Sequence, residues 1–200
     1  KDLDDILDVG CGQGAFLNHL KANAKTAVGI DLSVEQIKVC QSFNLDAQAI
    51  SLEQVEEKYD CLTAIFDVIN YIPNSELANF FKDANNTLNE NGYFIFDVNT
   101  LFGFEEIAQG SLNINLEDKF IAIDAIFEDK KLKTDITFFN KDKKNLYTKE
   151  EDRVTQYFHD TKNLKSILQE ANFQIEKIIN FNLHTDDEAD KLIFICKKTK

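Results

Sequence analysis

Apolar and polar positions along the first hundred residues follow two alternating rhythms, short apolar runs and longer stretches with apolar residues at every third or fourth place. That alternation predicts βαβ units around a parallel sheet. Residues 6–9 form an apolar run that stops at Gly10-Cys11-Gly12-Gln13-Gly14, and residues 15–24 carry helical spacing. A second run, 26–30, ends at Asp31. Ser33 has Gln36 three places on, the spacing of a capping box, and opens a helix to about residue 43. Residues 45–50 form a weaker third strand and 59–66 a clear fourth. Ser75 is placed to cap a helix ending at Leu88, stopped by the Asn91-Gly92 turn before a fifth strand over 93–98. The expected fold class is α/β, with five strands alternating with four helices.

Beyond Thr100 the rhythm changes. Residues 120–127, 132–139 and 146–158 alternate or run apolar, with charged turns such as Asp129-Lys130-Lys131 between them, and predict an antiparallel meander. A helix follows from Thr161 to about Asn172. Strands over 173–181 and 191–197 close the chain around the acidic loop Asp186-Asp187-Glu188. With no linker, repeat or low-complexity block, residues 1–200 form one domain and 101–158 are an insertion within it.

Composition narrows the function. The chain has 200 residues, with 22 Lys+Arg against 35 Asp+Glu for a net charge of −13, which speaks against a partner held by its phosphates. At 44% hydrophobic and 28% charged it matches an ordinary globular domain, large enough to bury roughly 70% of its unfolded surface. Cys11, Cys40, Cys61 and Cys196 show neither CxxC spacing nor nearby His, so neither a metal site nor a secreted disulfide framework is expected. No apolar run approaches the roughly 18 residues of a membrane span, and Lys1-Asp2-Leu3-Asp4-Asp5 is no signal peptide. A cytoplasmic protein without nucleic-acid or membrane partners is expected. A single Arg and abundant Lys, Asn, Ile and Phe suggest a bacterial, AT-rich source, and the lack of Met at position 1 suggests a missing N-terminal segment.

The sharpest chemical feature is Asp8-Val9-Gly10-Cys11-Gly12-Gln13-Gly14 between a strand and a helix, followed by Asp31 at the next strand's end. Glycines let a ligand lie against bare backbone, the helix N-terminus offers free N–H donors, and a carboxylate tipping the second strand can accept both hydroxyls of a ribose. These describe a site for an adenosine-containing cofactor. Gly10, Gly12 and Ala15 also satisfy the dinucleotide fingerprint, so NAD remains an alternative. Asp8 sits where a dinucleotide would place its anionic pyrophosphate, whereas beside a cationic sulfonium or amino group it is favourable.

At these motifs the sequence resembles the class I S-adenosylmethionine-dependent methyltransferases, over nearly the whole chain. Ile6 to Gly14 resembles their first motif and Gly29-Ile30-Asp31-Leu32-Ser33 their second. Tyr59-Asp60 with Phe66-Asp67-Val68-Ile69-Asn70-Tyr71 is similar to the fourth-strand segment, and Asn91 to Thr100 to the fifth strand of a small-molecule subgroup. The resemblance implies a Rossmann-like three-layer sandwich, a mostly parallel seven-stranded sheet whose last strand is antiparallel. It implies S-adenosylmethionine held by Gly10, Gly12 and Gly14 around the methionine part, with Asp8 nearby. Asp31 and Leu32 fall at the ribose end, and Phe66 and Asp67 beside the methionyl end. Ser51-Leu52 stand where the family often has Asp-Ala or Asp-Leu near the adenine. It also implies an N-terminal helical lid, absent before a strand that begins almost at residue 1, and an insertion that shapes the acceptor pocket or a dimer contact.

Methyl transfer from a sulfonium needs positioning more than a base, though a hydroxyl acceptor needs a proton acceptor within reach. Ligands of open α/β sheets bind beyond the carboxyl ends of the strands, which favours Asp67, Tyr71 and Asn99 over Tyr147, Arg153, Tyr157 and His159 on the meander. Glu150-Glu151-Asp152-Arg153 is a candidate polar-acceptor patch, or simply a solvated strand edge. His19 reads as a helix-face residue, His184 as a loop residue and Cys11 as a small filler. The expected activity is transfer of a methyl group to nitrogen or oxygen of a small molecule. An NAD-dependent oxidoreductase and a cofactor-binding module without turnover are the alternatives.

Overall fold

A computed structural model describes residues 3–23, 26–142, 144–183 and 188–199. The parallel half is built from β1 (Asp5–Val9), α1 (Ala15–Ala22), β2 (Thr26–Ile30), α2 (Val34–Ser42), β3 (Ala47–Gln48), β4 (Tyr59–Ala64), α3 (Leu77–Thr87) and β5 (Leu88–Asn99). After an insertion, α4 (Thr161–Glu170), β10 (Phe173–Phe181) and β11 (Lys191–Lys198) complete a seven-stranded sheet ordered β10-β11-β5-β4-β1-β2-β3. β11 runs antiparallel to both neighbours, as the resemblance implied. The sheet is covered by apolar faces of the helices: Leu77, Phe81 and Ala84 of α3 and Leu164 and Leu168 of α4 pack against Phe94, Phe96 and Phe194. The Phe96 and Phe194 rings stack at 4.9 Å across β5 and β11.

The insertion is a four-stranded antiparallel sheet, β6 (Gly110–Asn115), β7 (Lys119–Glu128), β8 (Lys131–Lys141) and β9 (Tyr147–Tyr157), in chain order. A π-helical turn at Gly103–Ala108 leads into it and puts Phe104 against Ala125 and Leu132. Three meander strands were expected. The fourth, β6, pairs only with β7, and its run Gly110-Ser-Leu-Asn-Ile-Asn is mostly exposed and polar, which hid it.

Other boundaries move for identifiable reasons. Among the described residues, three α-helices and two 3₁₀ turns, Leu52–Gln54 and Val68–Tyr71, stand among the first five strands where four helices were expected. Helix α3 begins at Leu77, with Glu76 rather than Ser75 at its N-cap, and stops at Thr87. β5 then starts at Leu88, opposite Tyr59, and resumes at Tyr93, opposite Cys61. The Asn91-Gly92 turn is therefore a bulge inside the strand, with Asn91 at φ +61°. β4 ends at Ala64 because Phe66 and Asp67 turn left-handed. Among the described residues no helix is long and apolar enough to cross a membrane.

Candidate active site

β1 carries the chain into a turn that glycine makes possible. Gly10 has φ +69°, and a Cβ there would lie 2.6 Å from Val68 Cγ2. The turn is pinned to β2, since the Gly10 and Cys11 N–H groups donate to the Ile30 carbonyl at 2.8 and 3.0 Å. From α2, the Cys40 thiol donates to the Gly12 carbonyl at 3.1 Å. Gly14, at φ +82°, opens α1, and a Cβ on it would meet Leu45 Cδ1 at 2.5 Å. Gly12 differs: at φ +54°, it has nothing within 4 Å of where a Cβ would stand, so that side of the loop is an open face. Cys11 is buried against Gly29, and burial pushes its thiol up, the environment of an unreactive filler.

The Asp31 carboxylate is aligned by backbone donors, Gly12 N–H to Oδ2 at 3.0 Å and Ser33 N–H to Oδ1 at 2.8 Å. The second bond alters the expected capping box. Ser33 Oγ accepts from Gln36 N–H at 3.3 Å, but Asp31 already holds the Ser33 N–H, and Gln36 Oε1 is buried without a partner among the described residues. Behind the loop, Asp8 is 2% exposed and accepts a hydrogen bond from the Thr63 hydroxyl at 2.7 Å. Burial pushes its carboxyl up to about 6, against the Thr63 bond and with help from the charge of Asp31.

In front of the loop lies a cavity of about 610 Å³. Of the residues singled out from sequence, Gly10, Asp31, Leu32, Ser51, Leu52, Phe66 and Tyr71 border it. Leu32 and Phe66 are 79% and 72% exposed, large apolar side chains held open at its rim. Glu53, Glu76 and Asp83 add an acidic side from the 3₁₀ turn and α3 that sequence reasoning missed. Burial pushes the Tyr71 phenol up; the charge of Asp67 acts the same way and that of Lys191 against it.

Past the carboxyl ends of β4 and β5 is a second set of groups. Phe66 and Asp67 are successive non-glycine residues at φ +62° and +71°, a strained turn of the kind that clusters at functional sites. The Asp67 N–H donates to Asp97 Oδ2 at 3.3 Å, and Lys191 Nζ bonds both Asp67 Oδ1 and, at 2.9 Å, Asp97 Oδ2. Gln156 Nε2 reaches Asp67 Oδ2 at 3.4 Å. Burial by itself would lower the Lys191 ammonium, yet the two carboxylates outweigh it and Lys191 titrates above the usual lysine range. Asn70 is fully buried; its Oδ1 accepts from Asn99 N–H at 2.9 Å and its Nδ2 donates to the Tyr157 carbonyl at 2.9 Å, tying β5 to β9. Lys191, Asp97, Gln156 and Asn70 were not singled out from sequence, because each acquires its meaning from a partner about 30 to 124 residues away.

The remaining candidates fall elsewhere. His159 is 1% exposed, its ring nitrogens 3.0 Å from Asn74 Oδ1 and 2.9 Å from the Ile69 carbonyl, and burial holds it below the usual imidazole range. It braces the turn after β4 and does not border the cavity, and neither do Asp67 and Asn99. Tyr157 lies at the end of β9 with Lys131 Nζ 5.7 Å from its ring centroid, also outside the cavity wall. Asn99 is buried at the end of β5, opposite Lys191. Tyr147 is exposed, Arg153 forms an exposed bidentate pair with Asp135, and Glu150, Glu151 and Asp152 are exposed. His19 lies exposed in the last turn of α1, and His184, Asp186 and Asp187 lie outside the described residues.

Comparison with known proteins bears on the family and the fold. Residues 1–178 match the model of a family described as a methyltransferase domain. A methyltransferase-named protein of Geobacillus sp. strain WCH70 is 24% identical over 208 residues, covering 96% of this chain and 84% of the relative. A crystal structure of an S-adenosylmethionine-dependent methyltransferase from Clostridium acetobutylicum superposes with a TM-score of 0.84 at 23% identity, covering 100% of this chain and 85% of that one. The sugar N-methyltransferase KedS8 from a Streptoalloteichus species superposes with a TM-score of 0.81 at 13% identity, covering 99% and 81%.

Proposed function

Because the chain belongs to the methyltransferase-domain family, in its class I fold with S-adenosylmethionine as cofactor, we propose that it transfers a methyl group to nitrogen or oxygen of a small-molecule acceptor by in-line displacement. The observation that carries this reading is the backbone-aligned Asp31 carboxylate, which borders the cavity with Gly10 and is held by the N–H of Gly12, whose own Cβ side is open. When bound, S-adenosylmethionine supplies an electrophilic methyl group on a sulfonium. Asp31 would accept hydrogen bonds from the ribose hydroxyls with Leu32 beside it, while Ser51 and Leu52 would flank the adenine. Gly10, Gly12 and Gly14 keep side chains off the methionine part, Asp8 places negative charge behind it, and Phe66 and Asp67 stand at the methionyl end. Asp67, Tyr71 and Asn99 position the acceptor. A dinucleotide would have to lay its pyrophosphate against the same Asp8, which disfavours NAD.

The insertion serves as the acceptor-side cap. Its inner end is tied to the transfer region by Gln156 on Asp67 and by Asn70 on the Tyr157 carbonyl, which supports this role. Two structural relatives carry names that point to amino sugars, an amino pentose methyltransferase from Micromonospora echinaspora and the sugar N-methyltransferase above, which supports a polar small molecule. The acidic chain and its buried free cysteines fit a cytoplasmic setting. A screen of candidate acceptors with labelled methyl donor tests the activity, and calorimetry with S-adenosylhomocysteine against NADH tests the cofactor. Selective NADH binding would overturn this function.

A further inference from the structure

The Lys191–Asp67–Asp97 cluster is the least expected feature of the fold. Lys191 is 9% exposed and Asp97 6%, and an ammonium shared by two carboxylates leaves a buried net charge of minus one, an expensive arrangement unless something completes it. Asp97 Oδ1 is buried and has no hydrogen-bond partner among the described residues. The Asp67 side chain stays 28% exposed and is presented by the strained Phe66-Asp67 turn. The cluster adjoins the cavity: Phe66 borders it on one side of Asp67 and Val68 on the other, and Val68 packs on Gly10. Tyr71, also in the wall, feels the charges of both Asp67 and Lys191.

We propose that Lys191 is a positioning residue that, with Asp97 behind it, fixes the Asp67 carboxylate as a hydrogen-bond acceptor at the point of methyl transfer, so that the acceptor is an amine. This rests on the methyltransferase reading. In transfer to nitrogen, the nitrogen lone pair forms the new N–C bond as the C–S bond breaks with its electron pair left on sulfur. Positive charge thus passes to nitrogen, whose proton then leaves to solvent. A fixed carboxylate facing that nitrogen is complementary to the charge it gains. An alcohol acceptor must instead hand its proton to a base as the bond forms, and the Asp67 oxygens are already engaged by Lys191 Nζ and Gln156 Nε2.

The test compares two ligands by calorimetry on the purified chain, S-adenosylhomocysteine and sinefungin, which carries an amine where S-adenosylmethionine carries the S-methyl group. The wild type should prefer sinefungin about ten-fold or more, the size of hydrogen bonds to a charged group. In Lys191→Met the preference should fall to about one-fold while S-adenosylhomocysteine still binds within about two-fold of wild type, in Asp67→Asn the preference should fall likewise, and Lys191→Arg should restore most of it. A merely structural lysine would weaken both ligands together. Since Lys191→Met leaves two buried carboxylates and can unfold the chain, the pair Lys191→Met with Asp97→Asn is measured beside it. An undiminished sinefungin preference in folded Lys191→Met, or none in wild type, overturns the proposal alone. Failure of S-adenosylhomocysteine to bind the wild type overturns the cofactor assignment, and this proposal with it.

Discussion

Two carboxylates at the glycine loop illustrate opposite uses of the same group. Asp31 is held by two backbone N–H donors at the cavity rim, so its lone pairs toward the cavity are aimed before any ligand arrives. Asp31→Ala should weaken S-adenosylhomocysteine binding by about 1.5 to 3 kcal/mol, and unchanged affinity in calorimetry on folded variant would show the ribose lies elsewhere. Asp8 is buried and raised to about 6 from 3.8. Between those values the folded chain holds a proton that the unfolded chain has lost, so stability is full below about pH 4 and falls as pH rises through about 6, by up to about 3 kcal/mol. Asp8→Asn should therefore stabilise the ligand-free protein at pH 7.5 and leave it nearly unchanged at pH 4, read from urea unfolding at both. The same variant should bind S-adenosylhomocysteine more weakly at pH 7.5, because the ligand's ammonium loses its buried counter-charge. Equal binding by wild type and variant would remove Asp8 from the site.

At the level of elements, the loop separates glycines that the fold needs from one that the ligand needs. Gly14→Val forces a side chain into Leu45 and Cys40 at a positive φ, and should cost more than about 3 kcal/mol of stability. At Gly12 a Cβ meets no atom of the described residues within 4 Å, so Gly12→Val should cost mainly the roughly 1 to 2 kcal/mol of left-handed strain while abolishing S-adenosylhomocysteine binding. Thermal melts and calorimetry on both variants separate the two effects, and wild-type binding by Gly12→Val would mean no ligand approaches that face. This strand–loop–helix unit was legible in sequence because its determinants lie within about two dozen consecutive residues, from Asp8 to Asp31. The Ser33–Gln36 capping box was misread since its competitor, Asp31, is two residues upstream and already holds the Ser33 N–H. Lys191 was invisible for a different reason. Nothing in Asp190-Lys191-Leu192 signals chemistry until β11 pairs with β5 in the register that places Lys191 opposite Asn99, beside Asp97 and Asp67. His159, a residue type suggestive in sequence, is buried and braces the turn after β4.

For the whole molecule, the open question in physical terms is what the outer part of the insertion packs against. Pairing across the four strands puts Leu112, Ile114, Ile121, Ile123, Ile136 and Phe138 on one face, the face whose inner members Ala125, Leu132 and Gln156 are buried against the body. The outer six are not buried, and Leu112 is 56% exposed. Four strands about 4.8 Å apart, over about five residues of about 3.4 Å, make a flat area of roughly 330 Å². A stable dimer buries about 800 Å² per partner, so this face alone is too small. β6 supplies the remainder: it is an edge strand paired only with β7, and its unpaired backbone is continuous with the apolar face. Dimerisation through the insertion, as proposed on the family resemblance, therefore requires face and edge together. Leu112→Asp places a charge where the two meet and should convert a species of twice the chain mass into one of single mass in light scattering. Because Leu112 lies on β6 of the separate four-stranded sheet and does not border the cavity, S-adenosylhomocysteine affinity should stay unchanged. A wild type already of single mass at the same concentration would exclude the dimer and leave the apolar face to the acceptor.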